Sequence, residues 1–246
     1  NYGVGRSLTG LPCQDPGVMN KNLTEIAFIL DRSGSMAPVT EATITGFNVF
    51  LRDQQKTEGQ ARLTLVLFDN EYLLPLDCIP VQEAVVLDTT TYVPRGSTAL
   101  LDAIGTTIDR LGARLSTMPE PDRPGQVIVA ILTDGYENSS EKFTWKDISA
   151  KILEQTNTYK WQFLFLGANQ DAIATAANLS IAAANASSYV ADEIGTRTNS
   201  KAISRKTTAM RKMSSGARMS LQERKDTAAP LSEIVADEDA EGRKEK

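Results

Sequence analysis

The chain has 246 residues, 41% of them hydrophobic, which suffices for one domain of ordinary size with a real core and an extension beyond it. With 31 acidic residues against 26 basic ones its formal charge is -5, an argument against general nucleic-acid binding. There is no histidine, which removes the commonest general base, the commonest zinc ligand and every His-dependent nucleophilic triad.

No Gly-Lys pair exists, so a Walker-type phosphate loop is excluded. Gly3-Val4-Gly5 with Gly10 has the wrong spacing for a dinucleotide fingerprint, and no strand precedes it. Only Cys13 and Cys78 are present, no run approaches the ~18 apolar residues of a membrane span, and the amino terminus lacks a signal-peptide core. The expectation is a cytoplasmic, reduced protein.

Residues 1–18 are Gly/Pro-rich and aperiodic, and Met19 is the expected natural start. They are therefore read as a flexible leader, upstream or non-native. Ile26 to Leu30 form a continuous apolar run of strand length, as for a parallel strand covered on both faces. Asp31, Ser33 and Ser35 alternate in a turn eased by Gly34, so three oxygen side chains can converge where a hard cation would want them. Pro38 and Thr40 then introduce a helix to about Gln55, with Ile44, Phe47 and Leu51 on one face and Gly46 expected to let it approach the sheet. Ala61 to Phe68 is the second strand. The Asp69-Asn70 turn makes Glu71 to Ile79 its antiparallel partner, and Pro75 puts that strand at the edge. Cys78 is expected to be a small buried hydrophobe.

Arg95-Gly96-Ser97-Thr98 leads into a helix carrying Leu100, Leu101, Ile104, Ile108, Leu111 and Leu115. Asp102 on its first turn suits either tuning of the site or the helix dipole. Gln126 to Leu132 is another apolar strand, ending in Thr133-Asp134-Gly135. Thr144 and Asp147 are spaced as a capping box for a helix through Gln155, Trp161 to Leu166 is a fifth strand, and Asp171 caps an Ala-rich helix to Leu179. Trp145 and Trp161 suit core and rim packing better than a ligand box. Alternating strands and helices predict an α/β fold, a doubly wound (Rossmann-like) mostly parallel sheet with one antiparallel edge strand and helices on both faces, its site at the strands' carboxyl edge.

Residues 19–190 are assigned to this domain. Past Ala183 the apolar periodicity fades, and residues 191–246 read as a charged tail, basic from Lys201 to Lys225 and acidic at Asp237-Glu238-Asp239. It is expected to be partly disordered, or to dock one helix through Ile203, Met210 and Met213, and to be dispensable for the fold. It lacks the aromatics that RNA or membrane-surface binding would favour.

Asp31-Arg32-Ser33-Gly34-Ser35 resembles the Asp-x-Ser-x-Ser core of the metal-ion-dependent adhesion site of von Willebrand factor A (vWA) domains. Gly96-Ser97-Thr98-Ala99-Leu100 supplies the distant threonine of that pattern and Thr133-Asp134-Gly135 its distant aspartate, in the right order, and the resemblance runs from Leu23 to about Ala183. It implies a metal site of Asp31, Ser33, Ser35, Thr98 and Asp134. Ser33 and Ser35 would bind directly, Thr98 directly or through water, and Asp31 and Asp134 mainly through bridging waters. Mg²⁺ or Mn²⁺ would suit this compact oxygen set, Ca²⁺ poorly.

The implied function is a metal-dependent protein-binding module, not an enzyme, whose partner protein offers an Asp or Glu to the metal, with no nucleic acid and no membrane involved. The alternatives are a metal-dependent hydrolase, which lacks an evident base, or an accessory subunit of an ATPase assembly. The resemblance is to soluble bacterial or phage-borne stand-alone members of the family.

Overall fold

Apolar runs too uniform to leave one face in water force strands into the middle of a layered structure. In the computed structural model, which describes residues 19–168 and 171–244, that middle is β1 (Asn20–Asp31). α1 (Thr40–Lys56), β2 (Gln60–Phe68) and β3 (Tyr72–Pro80) follow it. Next come α2 (Leu100–Thr117), β4 (Pro124–Thr133), α3 (Trp145–Tyr159), β5 (Gln162–Ala168), α4 (Ala172–Asn178) and β6 (Ala186–Tyr189). The chain closes with α5 (Glu193–Ser215), α6 (Leu221–Ala228) and α7 (Leu231–Lys244). The leader at 1–18, with Cys13 and the early glycines, lies outside the described residues.

The strands form one sheet in the order β3-β2-β1-β4-β5-β6. All neighbours are parallel except β2 and β3, so the doubly wound sheet with an antiparallel edge is observed. The chain works outward from β1 through β2 to β3, then returns to β1's other side as β4, making the β1/β4 crevice the switch point where such sheets place their sites. Alternate residues of β1 feed two cores. Ile26, Phe28 and Leu30 pack with α1, α5 and α7, and Ala27 and Ile29 pack with α2, α3 and α4. Edge-to-face contacts of Phe28 with Phe47 and Phe50 fasten α1 to β1.

Several expectations are corrected. The sheet has a sixth strand, β6, whose four residues Ala-Ser-Ser-Tyr carry too little apolar pattern to announce it. Gly46 serves a helix crossing and not the sheet, since a Cβ there would lie 2.5 Å from Ser200 Oγ on α5. Cys78 is only half-buried and takes φ 55, where the β2/β3 register slips. Of the two tryptophans it is Trp161 that is in the core and Trp145 that lies at the rim.

The largest correction concerns the tail. α5 lies along α1, and its Ala202, Ile203 and Met210 join the core that contains Phe28 and Leu30, as do Leu231, Ile234 and Val235 of α7. Met213, the third residue of the expected stripe, is instead exposed. Three of the cations that made this stretch look solvated, Arg205, Lys206 and Arg211, are turned inward, whereas Arg218, Arg224 and Lys225 stay exposed. Arg211 is 1% exposed, and its guanidinium donates to Gln54 O (2.8 Å), Gln54 Oε1 (3.0 Å) and Gly59 O (3.0 Å), satisfying carbonyls at the carboxyl end of α1. Lys206 does the same for α6, donating to Asp226 O (2.9 Å), Thr227 O (3.1 Å) and Ala229 O (2.7 Å). Arg205 joins Asp226 of α6 to Glu238 of α7 at 2.7 and 3.0 Å.

Truncation after Ala191 therefore strips one face of the sheet and leaves the α1 carbonyls without donors. The truncated chain should lose its cooperative urea transition, whereas a sharp transition with an unchanged slope would mean that α5 is not part of the folding unit.

Glu25 gives a second test. Its carboxylate is fully buried, 2.7 Å from Arg114 Nη2, and burial outweighs that cation and pushes it up to about 7. The unfolded group ionises near 4.5, so the protonated form favours folding, and the benefit fades as pH rises from there through about 7. Glu25→Gln should gain about 2 kcal/mol relative to the parent between pH 5 and pH 8 in denaturant titrations. A pH-independent difference would contradict the assignment.

Candidate metal centre

Three loops meet at the carboxyl edge of β1 and β4. Asp31 ends β1, fully buried, with both carboxylate oxygens engaged: Ser33 N donates to Oδ1 at 2.7 Å and Thr133 Oγ1 to Oδ2 at 2.5 Å. Tyr92 donates its hydroxyl to the Asp31 carbonyl at 2.6 Å. The side chain is thereby aimed before anything binds.

The first loop is tied to the second and the second to the third by backbone. Arg95 N donates to Arg32 O (2.8 Å) and Gly34 N to Gly96 O (3.1 Å). Gly96 sits at φ 66, a conformation that favours glycine, and so lets its carbonyl face Gly34. Asn138 then brackets Thr98, accepting from Thr98 N at 2.9 Å through Oδ1 and donating its own N to Thr98 O at 3.0 Å.

These ties bring all five residues of the sequence motif together. Ser33 Oγ and Ser35 Oγ are 3.0 Å apart, and Ser35 Oγ donates to Asp134 Oδ1 at 2.5 Å. A Cβ placed on Gly135 would lie 2.6 Å from Thr98 Oγ1, 3.4 Å from Ser35 Oγ and 3.5 Å from Ser33 Oγ. Three hydroxyls therefore face one small space that only glycine leaves open. Every donor is an oxygen, and among the described residues no group of three or more His, Cys, Asp or Glu forms a conventional metal cluster. The set fits a hard divalent cation such as Mg²⁺ or Mn²⁺.

The electrostatics agree with that fit. Burial pushes Asp31 up to about 6, with the nearby Asp134 charge adding to the effect and the Thr133 and Ser33 hydrogen bonds opposing it. Burial also raises Asp134, against the Ser35 hydrogen bond. Arg32, inside the motif, does not relieve them; it pairs with the buried Asp69 at 3.0 Å. Arg95 reaches the same Asp69 oxygen at 3.1 Å and also pairs with Glu71.

Sequence reasoning missed the supports. Thr133 lies within the motif, and Glu137 and Asn138 follow Asp134 closely, but hydrogen bonds between loops leave no spacing signal that would assign these residues a role. The Glu137 carboxylate accepts from Leu101 N (2.9 Å) at the start of α2 and from Ser139 N (3.0 Å) and Ser140 N (2.8 Å). Asp102 stands in the first turn of α2, as its helix-dipole reading has it, and does more. It accepts from the backbone N–H groups of Glu141, Lys142 and Phe143 at 2.9 to 3.0 Å, holding the loop that leads to α3. The Thr144/Asp147 capping box and the Asp171 cap stand as expected.

No protein-family model matches the chain, and no curated protein matches it. Solved structures similar to it include the manganese-loaded TRAP protein of Plasmodium vivax, with 18% identity over 60% of this chain and 57% of that one at a TM-score of 0.46. A von Willebrand factor type A structure from Catenulispora acidiphila shows 15% identity over 76% and 42%, with a TM-score of 0.49. The ArnB paralog VWA2 of Sulfolobus acidocaldarius shows 16% identity over 61% and 36%, with a TM-score of 0.40. The chain thus spans between about a third and three fifths of the length of these structures.

Thr133→Val removes a hydrogen bond that lowers Asp31, so in chelator the Asp31 carboxyl should titrate above its parent value of about 6 by carbon NMR. A downward move or none would mean that Thr133 does not orient this carboxylate.

Proposed function

We propose that this chain is a vWA-type protein-binding module that takes up Mg²⁺ or Mn²⁺ at Asp31, Ser33, Ser35, Thr98 and Asp134, and through it recognises an Asp or Glu of a partner protein. The observation that carries the reading is the convergence of Ser33, Ser35 and Thr98 hydroxyls on the space beside Gly135, with two buried carboxylates alongside. When bound, the cation supplies a Lewis-acidic position that a partner's carboxylate can complete.

The chain's own residues divide the work. The hydroxyls contribute neutral oxygens, so little of the cation's charge is cancelled at close range. Asp31, fixed by Ser33 N and Thr133, contributes charge at a set distance, and Asp134 does so from the third loop. Binding is favoured over turnover because both Asp31 oxygens are already engaged, Asp134 Oδ1 is held by Ser35, and no histidine exists to serve as a base.

Titration calorimetry on the parent and on Asp31→Ala tests the metal, and equal uptake by both would end the assignment. Protons compete for Asp31, so affinity should fall as pH drops below about 6. Saturating Mg²⁺ at ~100 times its dissociation constant should add about 2.7 kcal/mol of stability. A pull-down in Mg²⁺, repeated in chelator, tests the partner. Thr98→Ala should weaken partner binding more than tenfold, about 1.4 kcal/mol, with melting in chelator almost unchanged. A partner held equally well in chelator would be using another face.

A further inference from the structure

One buried hydroxyl beside the metal loops is left without a partner. Tyr189 ends β6, registered with Ala168 of β5, one step beyond the Gly167 that faces Thr133 of β4. It therefore stands at the same carboxyl edge as Asp31 and Asp134, two strand spacings or ~10 Å from β4. Its ring belongs to the core that also holds Leu30, Met36 and Leu132, the residues that flank the first and third metal loops. The residue is 7% exposed, and its hydroxyl is buried with no hydrogen-bond partner among the described residues. Tyr92, in the same core, differs in that its hydroxyl is spent on the Asp31 carbonyl.

The charges around the phenol say what it lies near. Burial, then the charge of Asp134, then that of Asp31, hold it un-ionised well above its usual range. Tyr189 is thus a proton donor at any pH at which the site works, close to two carboxylates that it does not touch. A buried donor without an acceptor is costly, and the usual remedy is an ordered water with about three polar partners. A divalent cation brings such water with it, since Mg²⁺ gives up its hydration shell reluctantly.

We propose that Tyr189 is a positioning residue of the metal centre: its hydroxyl donates to a water that in turn donates to the Asp134 carboxylate when Mg²⁺ or Mn²⁺ is bound. This rests on the metal reading above and adds a sixth residue to it. Ser35 already holds Asp134 Oδ1, so a second tie through water fixes the rotation of the carboxylate. Asp134 then meets the water shell of the cation in one orientation. Ties of this outer kind orient metal-binding groups, and their loss costs about 10- to 100-fold in metal affinity.

Tyr189→Phe removes only the oxygen in question. In the full chain, its dissociation constant for Mn²⁺, read from the electron paramagnetic resonance of the free ion, should rise about tenfold, ~1.4 kcal/mol, while melting in chelator stays the same or rises. A hydroxyl that serves the fold alone gives a different pattern. Lower melting in chelator overturns the proposal, whatever the affinity. Failure of the parent to take up Mn²⁺ overturns the metal reading and this inference with it. Uptake by the parent that Asp31→Ala abolishes and Tyr189→Phe leaves intact overturns this inference alone. If Tyr189→Phe does not fold, parent protein labelled with ¹³C at tyrosine Cζ decides. The Tyr189 signal should then shift on adding Mg²⁺, with that of the exposed Tyr159 at the far end of α3 as the control that stays in place. A Tyr189 signal that does not move overturns the proposal.

Discussion

A carboxylate buried at the end of the central strand is the constraint from which the rest of the site follows. Asp31 cannot be moved toward water without unpairing β1 from β2, to which it is registered through Phe68. A buried carboxylate is tolerable only if its oxygens are satisfied. Ser33 N and Thr133 Oγ1 satisfy them, and in doing so fix the start of the first loop and the end of β4 relative to each other. What remains uncompensated is charge, which burial registers by raising both Asp31 and Asp134.

Rigidity of the surrounding loops follows from a second buried acid. Asp69, also fully buried, draws Arg32 and Arg95 to one oxygen and so removes from the site the cation nearest to it in sequence. The same residue accepts from Ala99 N through its backbone carbonyl at 3.0 Å and from Glu71 N through Oδ1 at 2.6 Å. One aspartate therefore orders the β2–β3 turn, the approach to α2 and the motif arginine. Breaking a buried pair of this kind leaves an uncompensated charge, so the network specifies one arrangement of the loops more than it adds stability.

The carboxyl-terminal helices show the same economy of charge in reverse. Arg211 and Lys206 are buried without a carboxylate as main partner, and each is tied to carbonyls at a helix end. Helix ends present partial negative charge and unsatisfied acceptors, so a cation there needs no acid. This is how a stretch with few large apolar residues still covers a face of the sheet. Its small residues, among them Ala202, Ala209 and Ser200 opposite Gly46, let α5 come close to its neighbours.

The sequence by itself determined the doubly wound sheet, the antiparallel edge at β3, the Thr144/Asp147 capping box and the five motif residues. Each of these rests on a local signal: an apolar run of strand length, a turn dipeptide with Pro75 after it, a Thr-x-x-Asp spacing, or loops that follow strands. Local signals survive because the backbone near them needs no distant partner to read them. Only the tertiary structure decided which cations are inside, because Arg211 and a solvated arginine are the same letter until the carbonyls of Gln54 and Gly59, some 150 residues away, are in place. It likewise decided that Thr133, Asn138, Glu137 and Asp69 build the frame of the site, since a hydrogen bond between loops leaves no periodicity in either one. β6 and the partial exposure of Cys78 belong to the same class. A four-residue strand and a bulge at positive φ are set by the neighbours that they pair with, and not by their own composition.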